Sequence, residues 1–283
     1  MAYVRKRLAK KRLVKRNIVR KYPKKSKYSV AKLAQKVNKM SRSIEVKEAR
    51  AEGLTDMVGT AVASFTGNVF CINPASTATD PKAIVINQGS GEGDRIGNQV
   101  TTKQNLFRFC AVLKPWNSTS NPNPRPMYLK AWVVSIRGGQ YGTTLADATN
   151  LIKSRFFDTG NSYIGFGDNL FDTIRPVNED VFTVHYTKVF KIGPAQTMAS
   201  GGGGATPTSA QGYTNNDFKL SVKWTIPLTK YTIKNIRYND TDGSVFNPTK
   251  WLFFTMSNAD GSAVGSSVPM EMFYNHVYRF TDN

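Results

Sequence analysis

The charge of this chain is divided unevenly along its length. Residues 1–42 contain seventeen of the 39 lysines and arginines and no aspartate or glutamate, and the first acidic residue is Glu45. The rest of the chain carries the other 22 basic side chains and all 19 acidic ones, which leaves it a net charge of +3. This division predicts a polycationic arm joined to a nearly neutral folded domain.

The arm is expected to bind a nucleic acid. Few apolar residues separate its seventeen like charges, so we expect most of it to be disordered in isolation. Nucleic-acid phosphates would neutralise it through contacts with lysine and arginine. The predicted phosphate-binding residues are Arg5, Lys6, Arg7, Lys10, Lys11, Arg12, Lys15, Arg16, Arg20, Lys21, Lys24, Lys25, Lys27, Lys32, Lys36, Lys39 and Arg42. The first eight of them, from Arg5 to Arg16, also form clusters typical of a nuclear import signal.

The end of the arm has a different pattern. Apolar residues recur at helical spacing within residues 29–42, and lysines lie on another face of the same helix (Val30, Leu33, Val37 and Met40 against Lys32, Lys36 and Lys39). This spacing predicts a short amphipathic helix over residues 29–42. We interpret residues 43–55 as a linker and residues 56–283 as one folded domain.

Most of the domain has the period of two that is typical of β-strands. Eight strands are predicted, over residues 57–73, 98–113, 127–136, 180–192, 218–226, 231–238, 251–257 and 270–281. Residues 144–156 predict one short helix between strands, with Thr144 as its N-cap. The expected fold is therefore an all-β, eight-stranded antiparallel sandwich or barrel with one inserted helix.

The sequence lacks the motifs of catalysis and metal binding. Its two histidines, His185 and His276, lie in strand patterns, and Cys71 and Cys110 lie in apolar runs where we expect buried free thiols. Cysteine and histidine do not cluster at the spacing of a zinc site, and no nucleophile elbow or phosphate-binding loop occurs. No apolar run approaches the roughly 20 residues of a membrane span. We therefore expect no enzymatic activity, no cofactor, no metal and no membrane insertion.

Three segments of the domain carry recognisable motifs. Residues 89–100 read GSGEGDRIGNQV, residues 176–193 read PVNEDVFTVHYTKVFKIG, and residues 218–228 read FKLSVKWTIPL. In order and rough spacing they resemble segments of the capsid proteins of circular single-stranded DNA (CRESS-DNA) viruses, which include geminivirus-like and circovirus-like members. The first segment is similar to that family's Gly-rich loop, and its motif residues here are Gly89, Gly91, Arg95 and Gly97. The resemblance covers about residues 56–281.

Two departures from the family leave genus and host open. The arm is richer in lysine than the arginine-dominated arms of circovirus-like members. The chain also lacks the Cys/His cluster that some plant-infecting geminivirus relatives carry.

The resemblance implies a jelly roll of the viral-capsid type, in which two four-stranded sheets form the shell domain. It further implies self-assembly of about sixty copies into a closed icosahedral shell, with an inward-facing arm that packages single-stranded DNA. An import receptor and a cell-surface receptor of the host would be further partners. The protein would reside in the virion and, in a eukaryotic host, in the nucleus during assembly.

The roles of several basic residues in the domain stay open. Arg95 either holds its loop or a subunit contact through its planar guanidinium, or contacts nucleic acid. Lys103, Arg108, Lys219 and Lys223 lie on predicted strands and would extend a basic lining if they faced the packaged strand. The four tryptophans are interpreted as core or interface residues rather than base-stacking platforms.

The sequence favours a coat protein for single-stranded DNA over three alternatives. A coat protein of a small RNA virus would have the same kind of arm. A cellular nucleic-acid-binding protein with a basic tail is expected to have a basic domain as well, which a net charge of +3 does not favour. A carbohydrate-binding or hydrolytic β-sandwich needs a conspicuous acidic or aromatic site, and the sequence does not show one.

Overall fold

A computed structural model describes two separate compact units, Met1–Ile44 and Glu45–Asn283. The described residues are 32, 33, 35, 36, 45–74, 82–91, 93–115, 117–119, 121, 122, 124–137, 145–193, 218–239 and 250–282. We call the second unit the body. In the first unit the four described residues, which fall within the predicted helix 29–42, have helical backbone and exposed side chains. The other residues of 1–42, with the predictions made for them, lie outside the described residues.

The body is built mainly from antiparallel strands, which confirms the prediction of an all-β fold with one short helix. The strands are β1 (Lys47–Met57), β2 (Val69–Cys71), β3 (Gln99–Leu113), β4 (Met127–Ile136), β5 (Phe157–Asp158), β6 (Tyr163–Ile164), β7 (Phe182–Ile192), β8 (Ser221–Pro227), β9 (Asn235–Arg237), β10 (Lys250–Asn258) and β11 (Met270–Asp282). The helix α1 is Leu145–Arg155, and three short 3-10 helices are Ala63–Asn68, Leu170–Thr173 and Leu228–Lys230.

Two antiparallel sheets form the framework of the body. One has the strand order β1-β11-β3-β8, with β9 paired to the start of β3, and the other has the order β2-β10-β4-β7. The strands β5 and β6 form a separate pair. The framework strands pair as β1 with β11, β2 with β10, β3 with β8, and β4 with β7. Strands that are distant in the chain are therefore neighbours in each sheet.

The main core lies between the two sheets and is rich in aromatic rings. The rings of Phe70 and Phe107 lie 4.8 Å apart, and those of Phe109 and Phe254 lie 5.1 Å apart. These four residues come from β2, β3 and β10, so the cluster joins both sheets. Each buried phenylalanine contributes about 1.5–3 kcal/mol relative to an exposed one. Their burial accounts for the alternating pattern of β3, in which Arg108, between two buried phenylalanines, points to solvent.

A second core covers the outer face of the four-stranded sheet. Trp132 and Phe253 of that sheet pack with Phe156, which follows α1 directly, and with Phe166 from the next loop. At Gly165 an added Cβ would lie 1.6 Å from the carbonyl oxygen of Lys153 in α1. The helix can therefore pack here only against a residue without a side chain. The corresponding outer face of the five-stranded sheet carries exposed side chains instead.

The predicted linker over residues 43–55 is wrong from Lys47 onward. Residues Lys47–Met57 form β1, which pairs with β11 along its whole length. Between Lys47 and Thr55 its inward-facing positions are the small residues Ala49, Ala51 and Gly53, so this part of the strand lacks a strong hydrophobic pattern. A Cβ on Gly53 would lie 2.7 Å from the hydroxyl oxygen of Tyr274. The small residues are needed because aromatic side chains of β11 occupy the space beside them.

Two other predicted strands are shorter than expected. Residues 57–73 contain the end of β1, the 3-10 helix Ala63–Asn68 and only three residues of β2. Residues 231–238 contribute only Asn235–Arg237, because the preceding residues complete the turn after β8. The other six predicted strands and the helix agree with the structure to within three residues at each end. The N-cap residue predicted for the helix, Thr144, lies outside the described residues.

Candidate nucleic-acid interface

Most of the predicted phosphate-binding side chains lie outside the described residues. Of the seventeen basic residues in the arm, the structure describes Lys32 and Lys36, which are helical and exposed. The eight residues of the predicted import signal are all outside the described ranges. Any nucleic-acid contact that the structure can describe in detail must therefore lie on the body.

The Gly-rich loop of the body is closed by its own backbone. The N–H of Gly89 donates to the carbonyl of Arg95 at 3.0 Å, and the N–H of Arg95 donates to the carbonyl of Asn87 at 2.9 Å. The carboxylate of Asp94 accepts from the N–H of Gly91 at 3.1 Å. A Cβ on Gly89 or Gly91 would lie 2.6 or 2.7 Å from that carboxylate. The two motif glycines thus leave room for Asp94 to cross the loop.

Arg95 holds this loop from inside the body. Its side chain is 2% exposed, and Nη1 donates to the carbonyl of Gly97 at 2.8 Å and to Oδ1 of Asn98 at 3.0 Å. The guanidinium carbon lies 4.2 Å from the centre of the Tyr238 ring. The sequence left three roles open for Arg95: holding its loop, contacting another subunit or contacting nucleic acid. The hydrogen bonds of its guanidinium show that it holds the loop. A side chain this deeply buried is not available to a nucleic acid.

The same loop is tied to both ends of the body's strand framework. The ammonium of Lys47, at the start of β1, donates to the carbonyl of Asp94 at 2.6 Å and lies 2.9 Å from Oδ2 of Asp282, at the end of β11. The N–H of Ile96 donates to the same carboxylate at 3.3 Å. Lys47 is 7% exposed, so this ion pair is screened little by solvent. Lys47 falls in the segment that the sequence had predicted to be a linker.

On the outer face of the five-stranded sheet, the charges of β1 and β11 neutralise one another. Glu48 lies between Arg50 and Arg279 and pairs with both. Hydrogen bonds from Arg279 and then Arg50 lower the pKa of Glu48 below its ordinary value. Farther along, Lys114 lies 2.8 Å from Asp56 and 3.2 Å from Glu271. This half of the face offers little net charge to a ligand.

The other half of that face contains a groove over β11, β3 and β8. We call it the sheet groove; its volume is about 510 Å³, and its outward-facing side chains are Arg108, Cys110, Lys223, Thr225, Phe273 and Asn275. Arg108 and Lys223 are exposed and form no ion pair or side-chain hydrogen bond with any other residue that the structure describes. Two basic residues that the sequence had placed on strands therefore share one surface.

Of the remaining predicted residues that the structure describes, Trp224 alone borders this groove. Lys103 and Lys219 are exposed, and Lys219 precedes β8 rather than lying on it. Trp132 and Trp251 are buried in the core, as the sequence suggested. Trp224 is 41% exposed, and the Lys188 ammonium lies 3.1 Å from the centre of its ring. Trp116 lies outside the described residues.

The histidines and cysteines do not assemble into a reactive site. His276 is fully buried beside Asn105, and His185 lies 2.9 Å from the hydroxyl of Ser135. Cys71 and Cys110 are free thiols as predicted, although both are half-buried rather than buried. Within the described ranges, no group of three or more His, Cys, Asp or Glu residues could hold a metal ion. Nor is any helix in those ranges long and apolar enough to cross a membrane.

Comparison with known proteins adds no assignment. No protein-family model matches this chain, and no curated protein matches it. The function is therefore inferred from the charge of the arm, the topology of the body and the sheet groove.

Proposed function

We propose that this protein is a structural capsid protein that assembles with itself into a closed shell and packages single-stranded DNA through its basic arm. One observation carries the proposal: the same chain combines a 42-residue segment that has basic but no acidic residues with a body of two antiparallel sheets. A segment with +17 net charge binds phosphates without regard to base sequence. Such binding suits a protein that must package a whole genome.

The strand order of the body supports a jelly roll. Eight framework strands, β1 to β4, β7, β8, β10 and β11, can be counted in chain order. One sheet then contains the first, eighth, third and sixth strands, and the other contains the second, seventh, fourth and fifth. The strand pairs are nested as in a long hairpin rolled into two sheets, and this nesting supports the proposed jelly roll. That architecture leaves its sides and end loops free for contacts between copies.

An exposed apolar surface on the body supports self-association. We call it the apolar groove; its volume is about 390 Å³, and it is lined by Tyr128, Leu170, Phe171, Thr173, Ile174 and Val189. Phe171 is 61% exposed and Ile174 is 75% exposed. The largest continuous apolar patch on a monomeric protein is often a site of interaction. A neighbouring copy in a closed shell would cover these side chains.

Electron microscopy of the purified full-length chain tests this proposal. The expected result is uniform closed particles whose nucleic acid is protected from added nuclease. Sequencing that nucleic acid then distinguishes a coat for DNA from a coat for RNA. A chain that stays monomeric at all salt concentrations, with or without nucleic acid, would overturn the proposal.

A further inference from the structure

We propose that the sheet groove is a second nucleic-acid site, which binds the phosphodiester backbone and one base of a single strand. This inference rests on the proposed function and extends it, because it assigns a contact with the packaged strand to the folded body. The arm is the site expected from charge alone. The sheet groove emerges only when the strands are placed side by side.

The two basic side chains of the groove are placed to contact one strand. Arg108 of β3 pairs with Thr225 of β8, and Lys223 of β8 pairs with Cys110 of β3. Arg108 and Lys223 are therefore diagonal neighbours on the same face, with backbones about 7–8 Å apart. Both side chains are long and flexible, so they can reach different phosphates of one backbone.

The charge of the groove is not neutralised by the protein. On the neighbouring strands Glu48 is paired with Arg50 and Arg279, and Lys114 is paired with Asp56 and Glu271, as described above. Arg108 and Lys223 have no acidic partner among the described residues. Glu52 of β1 borders the groove and accepts from Nδ2 of Asn275 rather than from either cation. Arg108 and Lys223 therefore keep their positive charge available within the groove. Phosphate is the chemistry that such a site would bind.

An aromatic ring adjoins the two cations. Phe273 of β11 pairs with Cys110, on the side away from Lys223, and its side chain is 50% exposed. Its neighbour on β1 is Leu54, which is 55% exposed. Sites for single-stranded nucleic acid combine a basic groove with an aromatic side chain on which a base stacks. The groove contains both parts within three neighbouring strands.

Salt-dependent binding of a labelled oligothymidylate to the full-length chain tests the inference. Each phosphate contact contributes about 0.7 to the slope of log K against log salt for a single strand, so R108A/K223A should reduce the magnitude of that slope by about 1.4. The matched control is R50A/R279A, which removes the same charge from the same sheet face but from residues already paired with Glu48. The control should change the slope much less. Equal slopes for the two double variants would overturn the inference.

Ultraviolet cross-linking of nucleic acid within purified wild-type particles supplies a readout that does not depend on a variant folding. Adducts on the strand segments that carry Arg108, Lys223 or Phe273 would support the inference, whereas adducts confined to residues 1–42 would overturn it. The latter result would leave the proposed function intact, because the particles would still contain nucleic acid. If R108A/K223A instead abolished particles while oligothymidylate binding stayed unchanged, the groove would be a contact between copies and the inference would be wrong.

Discussion

The Nε2 atom of His276 lies 2.7 Å from Oδ1 of Asn105 in the interior of the five-stranded sheet. Asn105 in turn donates from its side-chain nitrogen to the carbonyl of Ile72 and to the hydroxyl of Thr232. Because the amide oxygen can only accept, Nε2 of His276 carries a proton and donates it. Complete burial lowers the pKa of His276 and so favours the neutral ring, which links β11 to β3 in a polar network inside the core.

The first prediction concerns the pH dependence of stability. Complete burial lowers the pKa of His276 to about 3, compared with about 6.5 in an unfolded chain. Below pH about 6.5 the unfolded state binds a proton that the folded state excludes, so stability falls as the pH is lowered toward about 3. In urea titrations, His276→Gln should be less stable than wild type at pH 7.5, and the difference should shrink by about 1.4 kcal/mol per pH unit below pH about 6.5. His185→Gln should show a smaller change, and an equal change in both variants would contradict the assignment to His276.

The second prediction concerns Asp168, a buried carboxylate in left-handed backbone conformation with φ 56°. It accepts from the N–H of Thr60 at 3.0 Å, from the hydroxyl of Thr60 at 2.7 Å and from the N–H of Ala61 at 3.4 Å. Asp168→Ala would leave those donors unsatisfied, so it should lower the free energy of unfolding by about 2–4 kcal/mol. Asp168→Asn keeps one acceptor and tolerates the left-handed backbone, so it should lose about half as much.

The pH dependence of these two variants provides a further check. Burial raises the pKa of Asp168 above its ordinary value, more than the hydrogen bonds from Thr60 and Ala61 lower it. The stability that this group contributes is therefore full below its unfolded pKa and is lost as the pH rises through its folded pKa. Asp168→Asn should remove that loss. An unchanged pH profile in chemical denaturation would show that Asp168 does not titrate in this way.

The third prediction concerns the close approach of α1 to Gly165. A Cβ at this position would overlap the carbonyl of Lys153, so Gly165→Ala must displace the helix from its packing site. We expect a loss of about 3 kcal/mol or more in the free energy of unfolding. Gly160→Ala is the control, because a Cβ there meets no atom within 4 Å and the cost is limited to its positive φ of 85°. Thermal unfolding of both variants should show the larger loss at Gly165.

The fourth prediction concerns assembly through the apolar groove. Ile174→Asp places a charge on a surface that a neighbouring copy would cover, so particles should be lost or greatly weakened at neutral pH. The stability of the monomer should change by no more than about 0.5 kcal/mol, because the side chain is 75% exposed. Val46→Asp, at a 53% exposed position outside this groove, should still form particles. Normal particles from Ile174→Asp, seen by electron microscopy, would remove the apolar groove from the assembly surface.

The fifth prediction concerns removal of residues 1–42. The body is a separate compact unit with its own core, so the truncated chain should retain the cooperative unfolding of the full-length protein. It should bind far less nucleic acid, because seventeen basic side chains are removed. The ratio of absorbance at 260 and 280 nm, combined with thermal unfolding, measures both effects. Undiminished nucleic-acid content would show that the arm is not the main binding segment.

Prediction from the sequence succeeded best where strands are long and hydrophobic on at least one face. The boundaries of β3, β4, β10 and β11 agree with the predicted ranges to within one residue.

β1 was missed because its buried face consists largely of Ala49, Ala51 and Gly53, whose side chains bury little apolar area. The need for small residues appears only when Tyr274 of β11 lies opposite Gly53. The sequence did contain one indication of a strand here: the charged residues Glu48, Arg50 and Glu52 alternate with those small residues.

The sequence by itself determined the division of charge, the absence of catalytic motifs and the all-β character of the body, since composition and local periodicity are properties of the chain. Only the tertiary structure decided the roles of the basic residues in the body. Arg95 is buried because Tyr238, which is distant in the chain, packs against it. Arg108 and Lys223 share a groove because β3 and β8 are neighbours in the sheet. Burial and ion pairing depend on contacts between distant segments, which no local pattern contains.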